Sequence, residues 1–185
     1  MDLFGGIVKK VKKMQRIVTN ETIAALQEMV TESFIMTARI DRMQSALDAD
    51  LSYNQTSLLI HQGMAHRYSG YFADEIADLG LQGYDISVNY GDVPTMNKSY
   101  SSVKELLYEL RDYVVEYQTE LNGCYKIAFN NNDFHICADL IDIIKDHNNV
   151  VRQMILLCNK IDIYGDNPSF DAHIKNNFWI LGENK

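Results

Sequence analysis

Residues 21–47, ETIAALQEMVTESFIMTARIDRMQSAL, decide the fold of this chain. Apolar or small side chains recur there at steps of three and four residues: Ile23, Leu26, Val30, Phe34, Thr37, Ile40, Met43 and Leu47. This spacing is typical of one face of an α-helix. No Gly or Pro interrupts the stretch, and Asn20 is a suitable N-cap because its short side chain can accept from the first free amides. The stretch therefore predicts one helix roughly 40 Å long.

The same periodicity predicts three further helices, at residues 52–80, 102–129 and 134–160. Ser102 and Glu105 have the spacing of a capping box at the start of the third helix. Asp133, which follows three asparagines, is expected to cap the fourth helix. The first two helices are joined by a short link, as are the last two. Each pair is therefore expected to form an antiparallel hairpin.

The connection between the second and third predicted helices is long. It contains Gly83, Gly91 and Pro94 and has no helical pattern. A loop of about twenty residues is unusual in a compact domain unless it runs along the bundle as a crossover. The order of elements predicts an all-α, up-down-down-up four-helix bundle with one long crossover. The predicted organisation is a basic N-terminal segment with a short helix, the bundle and a C-terminal tail, at residues 1–19, 20–161 and 162–185.

Composition excludes several classes of protein. The chain of 185 residues is 46% hydrophobic and 23% charged, as in ordinary globular proteins. No apolar run reaches the roughly 20 residues that span a bilayer, so no transmembrane segment is expected. The three cysteines form no CxxC pair, which argues against a disulfide framework or zinc site and favours a reducing, cytoplasmic location. No GxSxG, phosphate-binding glycine loop or HExxH motif is present, so hydrolysis and nucleotide binding have no support.

The charge is unevenly distributed. The net charge is −8, yet Lys9, Lys10, Lys12, Lys13 and Arg16 make the first sixteen residues basic. Three interpretations remain open for this arm: a solvated or subunit-contacting helix, a membrane-surface anchor, or a nucleic-acid-binding segment. The four lysines are the candidate nucleic-acid contacts.

The C-terminal tail contains four consecutive large apolar residues: Phe178, Trp179, Ile180 and Leu181. Left exposed, such a cluster would promote aggregation. The four predicted helices already supply a complete inward stripe. The cluster is therefore expected to bind a neighbouring subunit, either another copy of the chain or a different protein.

Two stretches resemble the ferritin family. Residues 59–67, LIHQGMAHR, look like the second ferritin helix, and residues 132–137, NDFHIC, look like the turn into the fourth. The loop from Gly83 to Pro94 resembles the ferritin crossover. The resemblance covers residues 21–160 and implies an oligomeric bundle that stores or oxidises iron. The basic arm also has a counterpart in this family, because DNA-protecting mini-ferritins often carry lysine-rich terminal arms.

The resemblance also implies a di-iron site, and there the chain departs from the family. Such sites use inward carboxylates and a Glu-x-x-His pair, and no Glu here has a His three residues later. His66 and Ser69 stand where the second ferritin helix supplies Glu and His. Val114 stands at the third-helix Glu, and Asn148 at the fourth-helix ligand. The first-helix ligand falls at residues 29–31. The resemblance therefore implies a degenerate ferroxidase centre.

The remaining candidate metal ligands are Glu32, His61, His66 and His147. On an α-helix, residues five apart point about 140° away from each other, so His61 and His66 are not expected to bind one ion. His147 and Asn148 interrupt an apolar face and are expected to belong to a buried polar network. The eleven tyrosines are interpreted as packing residues with a polar tip.

The sequence therefore favours a non-catalytic ferritin-like subunit of a larger assembly, with no resident cofactor. The alternative is an iron-storing or iron-oxidising mini-ferritin, with iron bound and DNA as a partner. The expected location is the cytoplasm, or a virion if the chain comes from a phage.

Overall fold

The computed structural model describes residues 17–165 and 167–177, with the backbone alone at residue 168 and residues 175–177. The described residues form six α-helices: α1 Asn20–Ala49, α2 Asn54–Ile60, α3 Ala73–Gly80, α4 Val103–Asn130, α5 Phe134–Tyr164 and α6 Pro168–Asn177. Helices α2 and α3 are the two ends of one continuous helix, whose middle contains the π-helical turns His61–Ala65 and Tyr68–Phe72. We call residues 54–80 the second bundle helix.

The helix starts differ in detail from those expected. Thr19, rather than Asn20, is the N-cap of α1, and its side chain accepts from the amide of Thr22. The Asp133 carboxylate does not cap α5. Its Oδ2 instead accepts from the amide and hydroxyl of Thr19, at 3.2 and 2.8 Å. Burial alone would raise the pKa of Asp133, but the hydrogen bonds from Thr22 and Thr19 hold it below its ordinary value. The start of α1 is thereby tied to the turn between α4 and α5.

The second bundle helix begins at Asn54, two residues later than the sequence suggested. Ser52 has φ of 61°, which is incompatible with a right-handed helix. The amide of Tyr53 bonds to the carbonyl of Leu47 at 2.8 Å and closes the link. At the other end, a methyl group on Gly80 would lie 2.9 Å from a side-chain carbon of Leu26. The glycine therefore lets this helix approach α1 closely.

The long connection runs along α1, as the crossover interpretation predicted. Gln27 Nε2 donates to the carbonyl of Ser87 at 3.3 Å, and the amide of Gly91 donates to Thr31 Oγ1 at 2.9 Å. The connection ends at the predicted cap of α4. Ser102 Oγ accepts from the Glu105 amide at 3.1 Å, whereas the Glu105 carboxylate bonds Ser101 instead of Ser102. The all-α bundle with one crossover is confirmed.

The register of α5 differs from the expected one. The buried face is Ile136, Leu140, Ile143, His147, Val150, Met154, Leu157 and Ile161. Asn148, expected in a buried network, is exposed, and Ile141 and Ile155 on the same side of the helix are 38% and 42% exposed. Both faces of α5 are apolar, so its periodicity does not identify the side that packs against α4.

The tail begins with a helix that the sequence analysis missed. Helix α5 continues to Tyr164 and ends at Gly165, whose φ is +66°. Helix α6 then packs against α2 of the same chain, with Phe170 and Ile174 buried. Part of the segment expected to be a separate tail thus contributes to the core. None of the helices in the described ranges is both long enough and apolar enough to cross a membrane.

Candidate functional site

One buried side chain from each bundle helix belongs to a polar cluster in the interior, made of two hydrogen-bonded pairs that pack against each other. Ser33 comes from α1, Tyr68 from the second bundle helix, Tyr117 from α4 and His147 from α5, and none is more than 1% exposed. Ser33 Oγ lies 2.8 Å from Tyr117 Oη, and Tyr68 Oη lies 2.9 Å from His147 Nε2. The Tyr117 ring packs against both other rings, with centroids 5.0 Å from Tyr68 and 4.7 Å from His147. We call these four residues the interior network.

Gln118 sets the tautomer of His147. Its Oε1 lies 2.9 Å from His147 Nδ1, and an amide oxygen can only accept a hydrogen bond. The proton therefore resides on Nδ1, so Nε2 accepts from the hydroxyl of Tyr68. Burial, with a smaller contribution from the charge of Arg67, lowers the pKa of His147 to about 3. The imidazole is neutral at physiological pH.

The two tyrosines of the interior network are also neutral. Burial raises the pKa of Tyr68 well above its ordinary value. Burial likewise raises the pKa of Tyr117, although the hydrogen bond with Ser33 acts in the opposite direction. Ser33, Tyr68, Tyr117 and His147 therefore carry no charge. Their hydrogen bonds are made within the two pairs, with Gln118 and with the carbonyl of Met29, to which Ser33 Oγ donates at 2.8 Å.

This interior does not suit a carboxylate-bridged iron pair. Di-iron bundles place four glutamates and two histidines on inward positions, whereas the interior network contributes no carboxylate. In the described parts of the chain, no three His, Cys, Asp or Glu side chains lie close enough together to hold a metal ion. Two divalent ions in this environment would lack the negative charge needed to offset their desolvation.

The positions that correspond to ferritin ligands do not meet in the interior. His66 and Asn148 are exposed, and Ser69 is half-buried. Val114 is buried but apolar. The sequence analysis expected a buried polar network around His147 and interpreted the tyrosines, Tyr68 and Tyr117 among them, as packing residues. It did not connect them, and it missed Ser33 and Gln118. The sequence contains one signal for this cluster: three polar residues, Ser33, Tyr68 and Tyr117, occupy inward helical positions.

Glu32 lies apart from the histidines, on the face shared by α1 and α4. Burial, followed by the nearby carboxylates of Glu32 and Glu116, raises the pKa of Glu120 to about 7. Burial also raises the pKa of Glu32, while the charge of Arg39 opposes this shift. Arg39 forms an ion pair with Glu116 at 3.5 Å. Glu32 and Glu120 are thus half-buried carboxyl groups near the exposed Glu116, and Arg39 is the cation paired with them.

His61 and His66 do lie together. Their ring centroids are 5.3 Å apart and their planes are inclined by 75°. His61 Nδ1 is 3.2 Å from Oε1 of Gln44 on α1. Of the four sequence candidates, these two alone meet, because His147 is held in the interior network and Glu32 faces α4.

The basic arm and the apolar cluster fall outside the described residues. This applies to Lys9, Lys10, Lys12 and Lys13 as well as to Phe178, Trp179, Ile180 and Leu181. Next to the last described residues, a cavity of about 360 Å³ lies between the end of α5 and α6. Its lining is mainly apolar and includes Tyr164, Phe170 and Ile174.

Comparison with known proteins identifies the fold. No family model matches the chain, and no curated protein matches its sequence. An open-pore ferritin from the hyperthermophilic archaeon Archaeoglobus fulgidus and an engineered closed form each give a TM-score of 0.79 at 11% identity, over 91% of this chain and 98% of theirs. A PmFTN variant soaked in iron for 5 min gives 0.76 at 14% identity, over 83% and 99%. The likeness confirms a ferritin-like, all-α fold.

Proposed function

We propose that this chain with a ferritin-like fold is a non-catalytic subunit of an oligomeric assembly. The observation that supports the proposal is the interior network, in which Ser33, Tyr68, Tyr117 and His147 fill the bundle with neutral, hydrogen-bonded groups. A di-iron carboxylate protein uses the corresponding space for charged ligands. Here the polar residues stabilise the packing of the four helices and leave no donor set for iron.

The proposed assembly rests on apolar surface. The outer face of α5 exposes Phe134, Ile141 and Ile155, and the cluster at residues 178–181 adds four large apolar side chains. The cavity at the end of α5 has a lining that is mainly apolar in area, with Tyr164, Phe170 and Ile174 beside polar residues such as Lys160 and Asn167, so it suits such side chains from a second copy. Apolar surface of this kind marks interaction sites in soluble proteins. Three buried free cysteines are compatible with a reducing compartment, and we place the assembly inside the cell.

Aerobic Fe(II) oxidation tests the proposal. Purified full-length chain is mixed with two to ten Fe(II) per subunit beside an active ferritin, and oxidation and bound iron are measured. We expect a rate equal to that of buffer alone. Saturable oxidation at about two iron ions per subunit would overturn the non-catalytic role.

One observation favours the alternative, an iron-oxidising or iron-storing protein. Glu32 and Glu120 are half-buried near the exposed Glu116, and carboxylate oxygens are suitable ligands for iron, although the three carboxylates would have to move closer together to hold an ion. The variants Glu32→Gln and Glu120→Gln are therefore included in the assay, with Glu21→Gln as the control, because Glu21 is an exposed glutamate in the first turn of α1 and lies outside the group. Iron oxidation that is lost in the first two variants and kept in the third would establish this alternative.

Light scattering tests the assembly. We expect the full chain to be an oligomer and a chain ending at Asn177 to be smaller, with unchanged helical circular dichroism. A matched control replaces the exposed Tyr90 by Ala and leaves both the cluster and the cavity intact. A full-length monomer at micromolar concentration would contradict the proposal, as would a truncated chain of unchanged size.

A further inference from the structure

The two π-helical turns change which side chains of the second bundle helix lie together. In a regular α-helix, His61 and His66 would point about 140° apart. The π-helical turn His61–Ala65 contains an extra residue per turn, because its hydrogen bonds span five residues instead of four. Residue 66 is thereby brought back beside residue 61, and the two imidazole rings come to 5.3 Å between centroids.

This separation fits two imidazoles bound to one ion. Zinc–nitrogen bonds are about 2.0–2.1 Å long, so two imidazoles on a tetrahedral ion have centroids about 5 Å apart. The observed 5.3 Å between centroids is close to this value. His61 is half-buried and His66 is exposed, so an ion can approach from solvent.

Gln44 supplies the outer contact that such a site needs. Its Oε1 lies 3.2 Å from His61 Nδ1. Because the amide oxygen accepts, the proton of His61 resides on Nδ1 and the lone pair on Nε2 is available. Metal-binding histidines commonly donate their second ring N–H to a carbonyl or carboxylate in this way, which fixes the tautomer and the ring orientation.

We propose that His61 and His66 form a surface binding site for one borderline divalent transition-metal ion, Cu²⁺, Ni²⁺ or Zn²⁺, and that Gln44 is its positioning residue. Imidazole nitrogen suits these ions. No third His, Cys, Asp or Glu joins the pair within the described residues, so water completes the coordination and the site is weaker than a four-ligand zinc site. The proposal is independent of the proposed function, because it involves neither the interior network nor iron.

Titration calorimetry with Cu²⁺ and Ni²⁺ tests the site, using the full chain without affinity-tag histidines. We expect one ion per chain and tighter binding of Cu²⁺ than of Ni²⁺. His61→Ala and His66→Ala should each lower the affinity at least tenfold. His173→Ala is the control, since His173 is an exposed histidine on another helix. Loss of less than twofold in either site variant, or an equal loss in the control, would overturn the proposal.

Electron paramagnetic resonance of bound Cu²⁺ tests the ligands directly. We expect coupling to two imidazole nitrogens in the wild type and to one in His66→Ala. Gln44→Ala should weaken binding about tenfold, and Gln44→Glu should restore it because a carboxylate also accepts from Nδ1. A wild-type spectrum with a single nitrogen would refute the site. A Gln44→Ala affinity equal to that of the wild type would refute the positioning role.

Discussion

The hydroxyl oxygen of Tyr68 lies 2.9 Å from Nε2 of His147, with both side chains fully buried. The second bundle helix and α5 are thus joined through a bond between neutral groups in the centre of the protein. Because both groups are buried away from water, the bond matters for stability mainly through the free energy that would be lost if it were broken. A buried donor or acceptor without a partner loses its full hydration.

Replacing Tyr68 by Phe should therefore destabilise the protein. The variant keeps the ring but leaves His147 Nε2 without a donor. We expect the free energy of unfolding to fall by about 1–3 kcal/mol, measured by urea denaturation at pH 7.5. Tyr90→Phe is the matched control, because Tyr90 is 62% exposed. Equal stability of the two variants would show that the bond contributes nothing.

His147 should make the protein sensitive to mild acid. Its pKa is about 3 in the folded protein and about 6.5 in the unfolded chain. Below pH 6.5 the imidazole of His147 is protonated in the unfolded chain but remains neutral in the folded protein. The stability contributed by the neutral imidazole is therefore complete above pH 6.5 and is lost as the pH falls towards 3.

Denaturation at pH 7.5 and pH 5.0 measures this effect. Over that interval the wild type should lose about 2 kcal/mol more than His147→Gln, since each pKa unit corresponds to about 1.4 kcal/mol. Glutamine keeps a group that can hydrogen-bond and has no titration in this range. Identical pH dependence in the two proteins would contradict the prediction.

Glu120 should make the protein less stable as the pH rises, which is opposite to the effect of His147. Burial and neighbouring carboxylates raise its pKa to about 7, above its value of about 4.3 in an unfolded chain. The stability contributed by the protonated Glu120 carboxyl is complete below pH 4.3 and is lost as the pH rises through 7. Glu120→Gln should raise the thermal midpoint at pH 8 and leave it nearly unchanged at pH 4. Scanning calorimetry at both values checks this, with Glu21→Gln as the control.

Asp171 should anchor α6 to the start of α2. Its Oδ1 accepts from the Thr56 amide at 2.7 Å and the Thr56 hydroxyl at 2.8 Å, while Oδ2 accepts from the Gln55 amide at 3.1 Å. Asp171→Ala removes a helix cap and should cost about 1–2 kcal/mol. It should also expose α6 to limited proteolysis. Asp92→Ala, in the exposed part of the crossover, should change neither measurement.

The C-terminal helix shows how a local signal was overlooked. Pro168 is the first residue of α6, a position where proline is common because the amide there has no helical partner. The sequence analysis did not use this signal. The docking of α6 on α2 depends on Asp171 reaching amides more than a hundred residues away, and no local pattern indicates that contact.

The sequence by itself determined the bundle, the crossover and the cap at Ser102, because helical periodicity and capping depend on residues three or four positions apart. Packing decided that α5 buries His147 and exposes Asn148, because both faces of that helix are apolar. The tertiary structure also decided that Ser33, Tyr68, Tyr117 and His147 form one network. Their meeting depends on the rotation of four helices about their own axes, which is set by the fit of side chains distant in the sequence. The tertiary structure also decided the π-helical turns. The first of them brings His66 beside His61 by adding one residue to a helical turn, which the spacing rules of a regular helix do not include.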